Sequence, residues 1–345
     1  ITKWQNFTWT LWRGLDLLKI NPYCVALRTP VQERENTRRY PKLSLVAQKI
    51  GVDSSSSSWN SIEKHGFNEQ SLSETLIGGQ SFVWDKNGAG EWEGIIAGTK
   101  LSLRLKNEHL QWRTPGPKVF SKQEVSDYLW LDSTYEEAID SLPWRSDPIL
   151  QCCIEGLPGL RILNQPLDET LFYFLLSPVK SIPQIKETGR LVARLYGPDL
   201  GGEKYGFPGW PALAEVTEEK FRELKLGYRA RNVVATAAFL RSRPGWIDSL
   251  SERSYLDARN EIMKLPGVGG KIADCVLLFG ARKLEAFPID TWIEKVLSLR
   301  YGLEKWNQDQ KLQFAHLHFG KFAGLAQQFF FSAERLGFLG KKPKR

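Results

Sequence analysis

The sequence predicts an α+β fold, an N-terminal antiparallel β-sheet domain followed by a mostly α-helical domain. Three observations carry this. Short apolar–polar alternations recur between residues 80 and 112, with Leu101, Leu103 and Leu105 set against Ser102 and Arg104, and a period of two marks a half-buried strand. Beyond Ser121, helix-start signals precede periodic apolar runs almost to the end of the chain,. A tight turn, Leu265-Pro266-Gly267-Val268-Gly269-Gly270, joins two of those runs into a helix–hairpin–helix,.

The elements follow in order. Residues 1–60 are heterogeneous, with Trp4, Trp9 and Trp12 in an apolar stretch and five serines, Ser54 to Ser58, that read as a flexible connection,. This N-terminal extension is expected to be partly disordered. Residues 61–132 form the expected sheet domain, with strands at 80–84, 92–96, 101–105 and 109–112 and a turn at Asn87-Gly88 between the first two,. Residues 133–340 form the expected helical domain. Ser121 with Glu124 and Thr134 with Glu137 read as capping boxes, while Thr217 and Ser254 precede periodic apolar runs,. Pro266 closes the 254–264 helix, Asp290 opens another that ends at Tyr301-Gly302, and 308–319 and 324–336 complete the set,. Residues 341–345 are a basic tail, read as a solvated end or a targeting signal,.

At 345 residues the chain can hold two or three subdomains with real cores,. No apolar run approaches ~20 residues and no secretory leader is evident. Cys24, Cys152, Cys153 and Cys275 have neither metal-ligand spacing nor a disulfide framework,. The expectation is an intracellular, cofactor-free, metal-free protein away from membranes. A net charge of +8 and a pI near 9.2 suit a polyanionic partner,.

The chemistry concentrates around the hairpin. The glycines let backbone come close to a partner, and the unpaired amides opening the second helix favour a phosphate oxygen. A plain packing corner would use the same residues. Lys271 stands in that helix's first turn, where the positive end of the dipole disfavours a second positive charge and favours the neutral amine. Such an amine can attack a sugar C1′ and form a Schiff base; a phosphate contact or a solvated lysine is the plainer alternative. Asp290 lies 19 residues further on, preceded by Phe287-Pro288-Ile289. As an N-cap, worth about 1 kcal/mol, it would also stay ionised and could stabilise positive charge developing on a sugar. An amine and a carboxylate beside a phosphate-holding turn point to chemistry on DNA.

These residues carry a resemblance. Leu265-Pro266-Gly267-Val268-Gly269-Gly270-Lys271 followed by Pro288-Ile289-Asp290 resembles the signature of the helix-hairpin-helix DNA glycosylases with a Gly/Pro…Asp loop, and within them the eukaryotic-type 8-oxoguanine DNA glycosylases. The likeness runs roughly from Ser71 to Gly337 and includes Gly79 to Trp84, Leu224 to Arg231, Lys271 to Cys275, and Ala326 to Ala333. It implies a bifunctional glycosylase and AP lyase, monomeric, acting on double-stranded DNA that contains oxidised guanine. The compartment would be the nucleus in a eukaryote, or the cytoplasm and nucleoid in a bacterium. Lys271 would be the nucleophile and Asp290 its electrostatic partner. Cys275 and Phe331 would sandwich the flipped base, Gln327 would read its Watson–Crick edge, and the Gly79 carbonyl would accept from the N7–H that separates 8-oxoguanine from guanine. Tyr228 would wedge into the stack, Arg229 would bond the opposite cytosine, and Arg231 would meet phosphate. Gly267, Val268, Gly269 and Gly270 would anchor the backbone, with a monovalent cation at the hairpin as a further option.

The chain also departs from the family pattern. Val179 or Lys180 stands where an asparagine would fill the gap left by the flipped base. Gln184 replaces an arginine that would read the opposite cytosine, and Trp292 replaces a histidine two residues after the catalytic aspartate. The preference for an opposite base is therefore left open. Two other readings stay in play: a monofunctional alkylpurine glycosylase, against which Lys271 argues, and a non-catalytic hairpin module that binds DNA through phosphates.

Overall fold

The computed structural model describes residues 58–340. The expectations for the extension, the serine run and the basic tail therefore fall almost wholly outside the described residues.

Five strands make one antiparallel sheet: β1 (Asn60–Ile62), β2 (Asp85–Lys86), β3 (Trp92–Ile96), β4 (Thr99–Lys106) and β5 (His109–Arg113), in the order β1-β5-β4-β3-β2. The register pairs Trp92 with Leu103 and Leu103 with Trp112, which puts large apolar residues on one face,. Helix α1 (Glu69–Ile77) contributes Leu72 and Leu76 to the core beneath that face, and α2 (Lys122–Leu129) contributes Val125, Tyr128 and Leu129. Ser121 and Glu124 form the expected capping box on α2.

The remaining helices share a second, larger core. They are α3 (Thr134–Ser141), α4 (Pro148–Gly156), α5 (Leu167–Leu176), α6 (Ile182–Tyr196), α7 (Gly209–Leu213), α8 (Glu218–Glu223), α9 (Arg229–Arg241), α10 (Trp246–Glu252), α11 (Tyr255–Ile262), α12 (Gly270–Ala281), α13 (Thr291–Tyr301), α14 (Gln308–Phe319) and α15 (Ala323–Leu336), the last entered through a 3₁₀ turn, Gly320–Phe322. Thr217 and Ser254 cap α8 and α11 as expected.

Two local expectations are corrected. Residues 80–84 are not a strand; only Asp85–Lys86 pairs with β3. Their alternation serves two cores instead of two faces of a sheet, Phe82 entering the helical core and Trp84 the sheet core. Groups distant in the chain hold Gln80: its Nε2 donates to the Arg161 carbonyl at 2.7 Å and its Oε1 accepts from Leu163 N at 2.8 Å, while its backbone carbonyl accepts from the Gln165 side-chain Nε2 at 2.7 Å. The turn after β2 is also longer than two residues, being closed by Asn87 N to the Glu91 carbonyl at 2.8 Å. Second, Thr134 does not cap α3. Its hydroxyl accepts from Trp130 Nε1 at 2.8 Å and donates to Asp132, and the N-cap is Ser133, which makes no side-chain bond.

Candidate active site at the hairpin

The hairpin is a type II turn built from its sequence. Pro266 occupies the first central position, Gly267 takes φ +80° at the second, and Val268 N closes on the Leu265 carbonyl at 3.1 Å,. Leu265 and Val268 point into the core, whereas Pro266, Gly267 and Gly269 face solvent. Gly267 is required twice over, because a Cβ there would also lie 2.1 Å from Asn232 Nδ2 on α9,. Gly269 is the N-cap of α12 and has no side chain to occupy the first-turn amides, so they stand open to an anion. Below the turn, Arg259 bonds Asp274 at 2.8 Å through Nε and Tyr255 donates to the same carboxylate at 2.8 Å, which braces α11 against α12.

Lys271 is exposed, with Nζ 5.7 Å from the centroid of the Phe174 ring on α5. Phe174 is held between Phe82, edge-on at 5.4 Å, and Phe279, stacked at 5.7 Å. The amine thus has an apolar floor, and Phe82 ties that floor to the Gly79 segment. Lys271 lies close enough to Cys275 and to Asp290 for its charge to act on both. Burial pushes the Cys275 thiol up to about 11 despite that charge. A thiol held neutral is a packing surface and not a nucleophile, which leaves the amine as the group able to attack.

Asp290 caps α13 as expected, its Oδ1 accepting from Trp292 N at 3.0 Å and Ile293 N at 2.9 Å. Both cap bonds use one oxygen, so Oδ2 takes no part in the cap. Burial raises this carboxyl above the ordinary carboxylate range, against the downward pull of Ile293 N, Lys271 and Trp292 N. The cap amides alone would lower it, and burial outweighs them.

The base-recognition candidates converge on the same place. Gly79 adopts φ +104°, and a Cβ there would lie 3.4 Å from Cε1 and Cζ of Phe331 and 3.2 Å from Cδ1 of Ile182. One turn before Phe331 on α15, buried Gln327 donates from Nε2 to the Pro288 carbonyl at 3.2 Å, two residues ahead of Asp290. That bond fixes the amide's orientation, since only its NH₂ can donate to a carbonyl. Gln327 Oε1 is left buried with no partner, an acceptor whose desolvation a donor edge would offset.

The residues expected around the opposite base, the gap and the backbone, and those that depart from the family pattern, are more dispersed. Tyr228 is 56% exposed, but Arg229 is only 6% exposed, its guanidinium 4.4 Å from the Tyr228 ring and its Nε without a partner. Arg231 is exposed on the first turn of α9. Gln184 is engaged in capping α6, its Oε1 accepting from Ser181 N at 2.9 Å. Lys180 donates to Thr188 Oγ1 at 2.8 Å, and burial, together with nearby Arg229 and Lys225, lowers its pKa. Beside it, Val179 is 94% exposed at φ +58°. A β-branched residue in the left-handed region is strained by about 1–2 kcal/mol, so the apolar tip between α5 and α6 is held at a cost. Val179→Asn, whose side chain tolerates that region, is expected to raise stability by about 1 kcal/mol in urea unfolding; an unchanged midpoint would show that the loop relaxes without strain. Trp292, on the first turn of α13, is 37% exposed with Lys295 Nζ 5.8 Å from its ring.

No local pattern in the sequence marks Phe174, Ile182 or Asn232 as neighbours of the site. They enter through contacts between elements far apart in the chain.

Comparison with known proteins finds relatives over most of the chain. The family described as "8-oxoguanine DNA glycosylase, N-terminal domain" matches residues 64–171. N-glycosylase/DNA lyase OGG1 of Arabidopsis thaliana is 30% identical over 285 residues, 77% of this chain and 78% of the relative. The N-glycosylase/DNA lyase of Saccharomyces cerevisiae is 28% identical over 68% of this chain and 69% of its own length. Among solved structures, Clostridium acetobutylicum 8-oxoguanine glycosylase/lyase, in complex with double-stranded DNA containing cytosine opposite 8-oxoG, superposes with a TM-score of 0.72 at 26% identity, covering 81% of this chain and 98% of that one. With a relative 30% identical over more than three quarters of both chains and the family model matching residues 64–171, this protein belongs to the 8-oxoguanine DNA glycosylase family of N-glycosylase/DNA lyases.

Proposed function

We propose that the protein excises 8-oxoguanine from duplex DNA and then cleaves the strand by β-elimination, acting as a monomer without a cofactor. The observation that carries this is the convergence of an exposed amine, a neutral thiol and a half-buried carboxylate, with Gly79 close to Phe331 on the helix that also carries Gln327. The Lys271 amine attacks C1′ of the flipped nucleotide, and the C1′–N9 bond breaks with its electron pair leaving on the base, which takes up the proton that Nζ loses. The sugar ring opens to a Schiff base between Nζ and C1′. Loss of a proton from C2′ then expels the 3′ phosphate, and water releases the enzyme. Asp290, ionised beside the sugar, stabilises the positive charge at C1′ while the glycosidic bond breaks. Cys275 and Phe331 provide the faces for the base and Gln327 Oε1 an acceptor for its edge. The Gly79 carbonyl accepts from N7–H, and leaving it unpaired disfavours guanine by ~1–3 kcal/mol. Tyr228 wedges into the stack, Val179 or Lys180 stands at the gap left by the flipped base, and Arg231 and the hairpin amides hold backbone phosphates.

An alkylpurine glycosylase using activated water is the second reading, and the amine on Phe174 weighs against it. Borohydride trapping on duplexes with one 8-oxoguanine opposite each of the four bases decides between them. A covalent adduct is expected, and its yield across the four ranks the opposite bases. Free alkylated base released without an adduct would transfer the assignment to the second reading. Among the described residues no helix is long and apolar enough to cross a membrane.

A further inference from the structure

Helix α15 carries two of the proposed base contacts, Gln327 and Phe331, and two adjacent charges one turn further on. Glu334 bonds Lys295 of α13 at 2.5 Å, while Arg335 Nη2 bonds Glu74 Oε2 of α1. Glu334 and Glu74 are both buried. The helix is therefore held on one side to the element that Asp290 caps and on the other to the element that ends in Gly78-Gly79. The second tie is the closer to base recognition. The Glu74 carbonyl accepts from Gly78 N at 2.8 Å, and a Cβ on Gly78 would fall 2.4 Å from Glu74 Oε1. Any shift of the Glu74 carboxylate is thus felt by the peptide leading into Gly79, whose Cα faces Phe331.

We propose that the Glu74–Arg335 ion pair is a positioning device for lesion recognition, setting the distance between the Gly79 carbonyl and the Phe331 ring. The proposal rests on the functional reading above. The pair is poorly satisfied as a structural bond alone: Glu74 Oε1 and Arg335 Nε are both buried without partners. A buried ion pair of this kind contributes little net stability compared with an apolar pair of the same shape. Its geometric effect is larger, because a displacement of about 1 Å at a recognition group can cost on the order of a hundredfold in rate.

The test compares two single-turnover rates in the same protein: excision of 8-oxoguanine opposite cytosine, and β-elimination at a preformed abasic site, which reaches Lys271 with no base to be read. Glu74→Gln keeps the shape and removes the charge; Arg335→Lys keeps the charge and removes the fork. Each is expected to lower the excision-to-elimination ratio, about tenfold for the first and several-fold for the second. The exchange Glu74→Arg with Arg335→Glu is expected to restore it in part. A ratio unchanged in both single variants overturns the proposal, whatever happens to the absolute rates, since a purely structural role lowers both rates together. Wild-type protein that cleaves abasic sites but leaves 8-oxoguanine in place would instead remove the functional reading itself.

Discussion

Lys271→Gln is expected to abolish borohydride trapping and to slow 8-oxoguanine excision by at least roughly a thousandfold, the scale of removing a covalent nucleophile. The amine's neighbours make this a clean substitution. Lys271 is exposed, its apolar contact is the Phe174 ring, and it enters no ion pair among the described residues. Removing a positive charge from the first turn of α12 also relieves an unfavourable interaction with the helix dipole, so the melting temperature should stay within a degree or two or rise slightly. Binding to undamaged duplex should weaken little, with the salt dependence falling by at most about one counterion. Cys275 cannot take over, because burial holds its thiol protonated at neutral pH. Persistence of the adduct in Lys271→Gln would mean that another amine performs the attack. Base release at wild-type rate, with no adduct in either protein, would favour water as the nucleophile and an alkylpurine substrate.

What the sequence disclosed and what it concealed divide by range. Capping at Ser121, Thr217, Ser254 and Asp290, and the turn at Pro266-Gly267, rest on a side chain and a backbone group within three residues of each other, so spacing suffices to find them,. The floor under Lys271 is Phe174, which no local rule connects to it, and the partner of Arg335 lies 261 residues away. The expected strand at 80–84 failed for the same reason. Its alternation is genuine, but the groups that bond the Gln80 side chain and carbonyl come from Arg161, Leu163 and Gln165 and not from a neighbouring strand. Thr134 shows the converse, a capping pattern defeated because Asp132 and Trp130 compete for the same hydroxyl. Burial is the other hidden quantity. It outweighs the cap amides at Asp290 and covers Arg229, which the resemblance placed at the opposite base. The site residues with the strongest motif, Lys271 and Asp290, were legible because the hairpin and the cap that place them are local; their mutual approach was legible only through resemblance.

Asp290→Asn separates the cap that this carboxylate makes from the charge stabilisation proposed for it. Asparagine is as good an N-cap as aspartate, so the bonds to Trp292 N and Ile293 N survive, whereas alanine would lose them at about 1 kcal/mol,. The activity should nevertheless fall by roughly a hundred- to thousandfold, the scale of losing one preorganised electrostatic contact to a developing charge. The pH dependence gives a sharper test. Burial raises the Asp290 pKa in the folded protein, so the acid limb of the wild-type excision profile should lie above the ordinary carboxylate range, with rate falling as Asp290 takes up its proton. Asn at 290 should erase that limb, and a limb that persists would assign it to another group. Stability runs the opposite way. A folded pKa above the unfolded one means that this group's stabilising contribution is full below the unfolded pKa and is lost as pH rises through the folded value. At neutral pH the ionised carboxylate is therefore a burden on the fold that the neutral amide does not impose. Asp290→Asn should melt at or above the wild-type temperature near pH 7, with the difference closing as the pH is lowered through the raised pKa. A variant that loses activity while holding or gaining stability would identify Asp290 as a charge retained for chemistry at the expense of the helix it caps.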